Sequence, residues 1–177
     1  HKRAGTPPTY LATTGEVQIE RGRYLANHVA GCITCHSKQD HEVFAGPTTP
    51  GTSGQGGEVW GVDKGFPGRL TATNITPAGV GGWTDGELLH AITAGVHRDG
   101  YALFPLMPYI TFGQMTETDA KAIVSYLRTI EPIETKPYVR ELPFPLNKVV
   151  NTMPTAPQWA ASSGENPVER GEYLTKV

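Results

Sequence analysis

The sequence has few cysteines, little net charge and no long apolar run. Only two of its 177 residues are cysteines, so a structural zinc site would need His or carboxylate for its other ligands. A net charge of −2 gives no electrostatic reason to expect nucleic acid or an anionic membrane surface as a partner. No apolar run approaches the ~18 residues of a transmembrane helix, so no span is expected in this chain. No basic-then-apolar leader precedes His1, and we expect a processed chain.

Both cysteines lie in the stretch GCITCH, where Cys32 and Cys35 are followed directly by His36. This spacing suits a redox dithiol, half of a zinc site, or thioether attachment of haem, and only haem attachment requires the adjacent histidine. No strand-rich pattern surrounds the motif, as a thioredoxin-like dithiol would need. The histidines that could complete a zinc site lack the usual second-pair spacing: His28, His41, His90 and His97.

We therefore predict one covalent haem c per chain. Cys32 and Cys35 would hold the porphyrin, and His36 would be the proximal axial ligand of the iron. The His36 ring nitrogen that is not on iron should donate to a backbone carbonyl, which fixes the tautomer.

Glycine (21) and proline (15) are abundant and predict a loop-rich chain with few long elements. A first helix is expected from residue 17 until Gly31, with Gly22 and Ala26 permitting a close helix crossing. A second should begin at a Thr84/Glu87 capping box and end near Gly95.

In the second helix, His90 is expected on the solvated side. A third helix should begin at Thr116, with Asp119 at its third position, and end before Pro132. Residues 37–74 show no clear period, and a loop of this length is usually functional. We expect it to wrap a haem edge.

Met107 is the predicted sixth ligand of the iron. It lies in FPLMPY, where Pro105 and Pro108 restrict the backbone on both sides and would hold a thioether in place without a helix. The alternative is that Met107 only fills the core. The other candidates for the sixth ligand look like packing, turn or solvated residues: Met115, Met153, His28, His41, His90 and His97.

Five motifs follow one another along the chain, in the order RGRYL…GCITCH, TNITP, GGWTDGELLHAI, RDGYALFPLMPY and YLRTIEP. Over about residues 17–135 they resemble the class I type cytochrome c domains of periplasmic membrane-associated dehydrogenases, which belong to multi-haem cytochrome subunits. The resemblance implies an all-α cytochrome c fold, with three main helices and long loops around one covalent haem. It also implies His36 and Met107 as axial ligands.

The same resemblance implies that Asn74 and Ile75 border the haem pocket and that Trp83 packs near the haem edge. The Asn74 amide and the Trp83 indole could donate to a propionate, although each could instead only build its turn or fill the core. Arg69 is a second candidate for a propionate, in a segment that is longer here than is usual in the family.

The predicted function is single-electron transfer, without bond-making chemistry. The donor would be a dehydrogenase or quinol-oxidising subunit and the acceptor a cytochrome or oxidase, in the periplasm or another extracytoplasmic compartment. Two alternatives stay open, a haem-bearing structural unit of a larger assembly and a haem enzyme or gas sensor with a displaceable Met107.

Four segments are expected: an N-terminal arm (1–16), a cytochrome c domain (17–135), a proline-rich strap or linker (136–167) and the start of a second repeat (168–177). VERGEYL in the last segment nearly restates IERGRYL at residues 19–25. A duplicated unit explains this similarity better than a chance match or a packing helix. By the first copy's spacing, a second haem motif should begin at about position 181, so we expect the sequence to be a piece of a longer cytochrome.

Overall fold

The computed structural model describes residues 2–135 and 138–177. His1 of the predicted arm, and Lys136 and Pro137 at the start of the predicted strap, lie outside the described residues. The chain divides into two compact units. The first unit comprises His1–Ala30, Trp83–Tyr126 and Lys148–Val177, and the second comprises Gly31–Gly82 and Leu127–Asn147.

The described residues are mostly helical, with one small sheet. The helices are α1 (Glu16–Tyr24), α2 (Cys32–Cys35), α3 (Pro77–Val80), α4 (Asp85–Ala94), α5 (Tyr109–Phe112), α6 (Glu117–Leu127), α7 (Leu146–Val149) and α8 (Pro167–Lys176). The strands are β1 (Val59–Trp60), β2 (Arg69–Thr71) and β3 (Arg140–Glu141). The prediction of an all-α fold is thus only partly right. No helix in the described part of the chain is long and apolar enough to cross a membrane.

In the first unit, α1 crosses α6 at Gly22. A Cβ built on Gly22 would lie 1.9 Å from the carbonyl oxygen of Ala122, so only glycine allows the two backbones to approach this closely. Ala26, one turn further on, is fully buried. The small-residue crossing predicted for this helix is confirmed. After α1 the chain continues as a π-helical turn, Leu25–Val29, and Gly31 then takes a left-handed conformation.

A buried carboxylate joins three helices of the first unit. Asp119 in α6 accepts two hydrogen bonds from the Arg21 guanidinium of α1, at 2.9 and 2.7 Å. It also accepts the Tyr173 hydroxyl of α8 at 2.9 Å. The Tyr173 oxygen in turn accepts the Thr116 backbone N–H at 3.0 Å. The hydrogen bond to Asp119 raises the pKa of Arg21, so the Arg21 guanidinium stays charged in the fold.

Helix α4 begins and ends where its local signals predict. Thr84 and Glu87 form both bonds of a capping box, and Gly95 ends the helix with φ +75°. The prediction of a solvated His90 is wrong, because His90 is only 5% exposed. Residues 5–7 of the N-terminal arm line the same pocket as His90. Burial lowers the pKa of His90, which favours the neutral ring.

In the second unit, the chain between the haem motif and α3 is more ordered than its sequence predicts. Strands β1, β2 and β3 form an antiparallel sheet in that order. Leu70 is paired with Trp60 on one side and with Arg140 on the other, and it is the buried residue of the sheet. Because β3 comes about 70 residues after β2, no local pattern could reveal this pairing.

The crossing at Gly22 predicts a contrast between two glycines in the same sequence context, ERG. Gly22→Ala should destabilise the protein by about 1–3 kcal/mol, since α1 and α6 must separate to admit the methyl group. Gly171→Ala is the matched control, because a Cβ on Gly171 of α8 meets nothing within 4 Å. In the 177-residue chain this change should be neutral, or stabilising by up to about 1 kcal/mol through helix propensity. Denaturant unfolding measures both, and equal losses would contradict the crossing.

Candidate functional site

The two cysteines lie on one helical turn in the second unit. Helix α2 follows Gly31 directly, and its backbone bonds run from Cys35 N–H to Gly31 O at 3.0 Å and from His36 N–H to Cys32 O at 2.8 Å. Cys32 is half-buried and Cys35 is exposed, and neither is in a disulfide. Burial raises the pKa of Cys32 to about 12 and also raises the pKa of Cys35. A reactive dithiol needs a lowered pKa, so this environment does not favour a redox dithiol.

His36 is oriented by a backbone carbonyl. Its Nδ1–H donates to the Thr73 carbonyl oxygen at 2.7 Å, which is the contact expected for a metal-ligating histidine. Burial lowers the pKa of His36 more than this hydrogen bond raises it, so the ring is neutral. With Nδ1 protonated, the lone pair is on Nε2. The residues present therefore fit a haem held by two thioethers, with Nε2 on the iron.

Residues 54–57 contact the end of α2 and residues 72–73 through their backbone, which the sequence did not predict. The Gly56 N–H donates to the His36 carbonyl at 2.7 Å, and Gly57 N–H donates to Ala72 O at 3.0 Å. A Cβ on Gly56 would lie 2.6 Å from the Thr73 carbonyl carbon. The Gly-rich stretch GTSGQGG was the available signal, since clustered glycines mark close backbone approach. Its partners are distant in sequence and could not be read from it.

The short Ser37 side chain ties α2 to this same segment. Its hydroxyl accepts the Gly54 N–H at 2.9 Å and donates to Ile33 O. The Gly54 carbonyl then accepts the Ile75 N–H at 2.8 Å. Ser37 is completely buried, so the network is shielded from water. Ile75, predicted to border the haem pocket, is thus fixed through its backbone.

The Asn74 side chain is fully engaged within the second unit. Its amide nitrogen donates to the Ile133 carbonyl at 2.7 Å and to the Thr135 hydroxyl at 3.1 Å. Its oxygen accepts the backbone N–H and the hydroxyl of Thr76 at 2.9 and 2.7 Å. Both amide protons and both acceptor positions are used. The two bonds from Thr76 build the turn, one of the two roles considered for Asn74, and the two donated bonds join that turn to residues 133–135.

Arg69, the other residue of the second unit proposed for a propionate, is exposed in β2 and paired in register with Glu141. Trp83 belongs to the first unit, where its ring meets the His97 ring edge-on at 4.5 Å. His97 also stacks on Tyr101 at 4.2 Å. The Arg98 guanidinium lies 6.0 Å from the Trp83 ring centre. Trp83 is therefore part of an aromatic cluster in its own unit.

Met107 lies in a tight turn of the first unit. Its N–H donates to Phe104 O at 3.2 Å, and its carbonyl accepts the Tyr109 N–H at 2.8 Å. Met107 is half-buried, whereas Met115 has no exposed surface. A fully buried methionine fills core, as predicted for Met115. Met107 keeps a side chain that is partly accessible on a constrained loop.

No family model matches the chain. It is 31% identical over 172 residues to a subunit of nicotinate dehydrogenase from Pseudomonas putida, covering 95% of this chain and 12% of the relative. It is 32% identical over 148 residues to the fructose dehydrogenase cytochrome subunit of Gluconobacter japonicus, and the match covers 80% of this chain and 27% of the relative. A diheme cytochrome c-type protein of Cereibacter sphaeroides is 26% identical over 179 residues, and the match covers 96% of this chain and 57% of the relative.

Over most of its length the chain is similar to cytochrome c subunits of dehydrogenases, and it is a cytochrome c domain of the kind found in them. This confirms the family predicted from the motifs. The chain spans between about an eighth and just over a half of the length of these three relatives. The relatives named as cytochrome subunits are electron carriers rather than catalytic subunits. Among the described residues of this cytochrome, no three His, Cys, Asp or Glu side chains converge as a metal site, and a second pair of zinc ligands is absent there.

The Met107 turn predicts a spectroscopic contrast within the cytochrome. Met107→Ala should keep covalent haem but lose the weak far-red sulfur-to-iron band of the oxidised protein and become high-spin or ligand-exchangeable. Met115→Ala should lose stability, by about 2–5 kcal/mol for a buried methionine, and keep the band. Absorption spectra and unfolding curves measure the two effects. The assignment is wrong if Met115→Ala loses the band and Met107→Ala retains it.

Proposed function

We propose that this chain carries single electrons through one covalent haem c, held by Cys32 and Cys35, with His36 and Met107 as axial ligands. The observation that supports it most directly is the His36 ring, whose Nδ1–H is bound to the Thr73 carbonyl and whose Nε2 is left for the iron. When bound, the haem supplies the one-electron couple. The residues of the chain hold and orient it.

A thioether ligand would suit this role. Methionine opposite histidine raises the reduction potential of a haem. The Met107 turn is closed by two backbone hydrogen bonds, to Phe104 and from Tyr109, so the sulfur would be held without a helix.

The relatives' names support a place for this cytochrome beside a dehydrogenase. They name nicotinate, fructose and alcohol dehydrogenases, and we propose that a dehydrogenase or quinol-oxidising subunit donates the electrons. The acceptor would be another cytochrome or an oxidase. Because haem attachment to a CxxCH motif takes place outside the bacterial cytoplasm, we propose a periplasmic or otherwise extracytoplasmic location.

Ligand-binding spectra test the electron-carrier proposal. The purified protein should contain one covalent haem, show the sulfur-to-iron band when oxidised, and bind cyanide or carbon monoxide slowly. Rapid binding of either ligand, with no sulfur band, would instead favour a haem enzyme or gas sensor. Absence of covalent haem would refute the proposal altogether.

We also propose that α8 is the first helix of a further cytochrome c unit. It carries VERGEYL, which is nearly the IERGRYL of α1. In α1 the backbone of α6 occupies the space beside the corresponding glycine, Gly22. A Cβ on Gly171 meets nothing within 4 Å. The exposed Val168 lies on the same side, one turn earlier. This surface matches the one that α1 uses to meet its own unit.

The full-length gene tests this second proposal. A CxxCH motif should begin at about position 181, since Cys32 follows Gly22 by ten residues. The protein from the full gene should then carry at least two haems by intact mass. A native polypeptide with a single haem motif and no second unit would contradict it.

A further inference from the structure

We infer that Asn74 is a positioning residue for the axial histidine, because its side chain fixes the Thr73 carbonyl to which His36 Nδ1–H donates. The inference rests on the proposed haem ligation by His36. It gives Asn74 a role in setting the reduction potential without any contact between Asn74 and the haem.

The acceptor of the His36 proton is a neutral carbonyl in a peptide that Asn74 shares. The oxygen belongs to Thr73, and the nitrogen of that same peptide unit belongs to Asn74. Rotating this peptide would move the oxygen away from His36 Nδ1, now 2.7 Å away. An outer hydrogen bond of this kind fixes the ring and raises its basicity as a ligand. The orientation of one peptide unit thus controls the strength of the ligand.

The Asn74 side chain anchors that peptide in two directions. Towards the C-terminal side it accepts two hydrogen bonds from Thr76, which has no exposed surface. Across the unit it donates to Ile133 O and to the Thr135 hydroxyl. These last two residues lie 59 and 61 positions away in sequence, so the amide ties the peptide to a separate segment.

The partners of Asn74 are also hydrogen-bonded to one another and to Gln55. The Thr76 hydroxyl also accepts the Ile133 N–H at 3.2 Å, and the Thr135 hydroxyl donates to Gln55 O at 2.9 Å. Gln55 immediately precedes Gly56, whose N–H holds the His36 carbonyl. The histidine and the carbonyl that receives its proton are therefore held by one connected set of bonds.

The partners of the Asn74 amide use both of its N–H donors and both acceptor positions of its oxygen. The Asn74 oxygen faces the Thr76 N–H, which can only donate, and its nitrogen faces the Ile133 carbonyl, which can only accept. The orientation of the amide is therefore determined by its partners. A side chain without the terminal NH₂ would leave the Ile133 oxygen without this donor.

Asn74→Ser tests the inference. A serine hydroxyl can still accept the Thr76 N–H, as in related turns, but it is too short to span to Ile133 and Thr135. Haem should stay covalently attached. The reduction potential should rise, because a weaker hydrogen bond makes His36 a poorer donor to ferric iron. By NMR, the His36 Nδ1–H proton should exchange with solvent about five- to tenfold faster, the effect of weakening one hydrogen bond.

Asn27→Ser is the matched control. The Asn27 amide also joins a carbonyl and a hydroxyl, those of Arg23 at 2.7 Å and Tyr126 at 3.2 Å. Its loss should lower stability without changing the potential or the Nδ1–H exchange. Unchanged values in Asn74→Ser, or equal shifts in both variants, would overturn the inference.

A second variant covers the case in which Asn74→Ser does not take up haem. Thr135→Val removes one acceptor of the Asn74 amide and should shift the potential and the proton exchange in the same direction by less. No shift in this variant would overturn the inference. Absence of covalent haem from the wild-type protein would instead refute the proposed function, so the two failures are distinguishable.

Discussion

The hydrogen bond from His36 Nδ1 to the Thr73 carbonyl is the contact on which the second unit depends. The two residues are 37 positions apart, so the intervening chain must return to the end of α2. It does so through backbone bonds of residues 54–57 with His36 on one side and Ala72 on the other. Three chain segments thus meet around one imidazole.

Glycine makes this meeting possible. Gly56 has φ +74°, a left-handed conformation that costs most residues free energy. A Cβ there would also lie within 2.5 Å of the Ala72 oxygen. Conformation and space independently require glycine at this position. Residues 54–57 of this loop, which lacks any hydrophobic period, are therefore held largely by backbone contacts.

Local signals in the sequence predicted the features whose causes are local. The Thr84/Glu87 capping box, the Gly95 terminus and the Thr116 N-cap each involve residues within four positions, and all three are present. The motif around His36 predicted that a backbone carbonyl would accept its proton, and the structure supplies Thr73.

Contacts between distant residues were not predictable in the same way. The identity of the carbonyl beside His36 depends on how residues 37–74 return, and that path has no periodic pattern. The three strands have only two or three residues each, which is too short for an alternating signal. His90 was misplaced for the same reason, because the N-terminal arm that lines its pocket is remote in sequence.

The two units use different means to hold their segments together. In the first, Asp119 is a buried charge that needs all of its partners, because removal of Arg21 would leave a carboxylate with little access to water. In the second, neutral amides and carbonyls around Asn74 do the same task. A neutral network suits a site where the charge on a metal must change, since it imposes no fixed charge of its own. All hydrogen-bonding positions of the Asn74 side-chain amide are occupied, so His36, as the proposed iron ligand, would keep its orientation in both oxidation states.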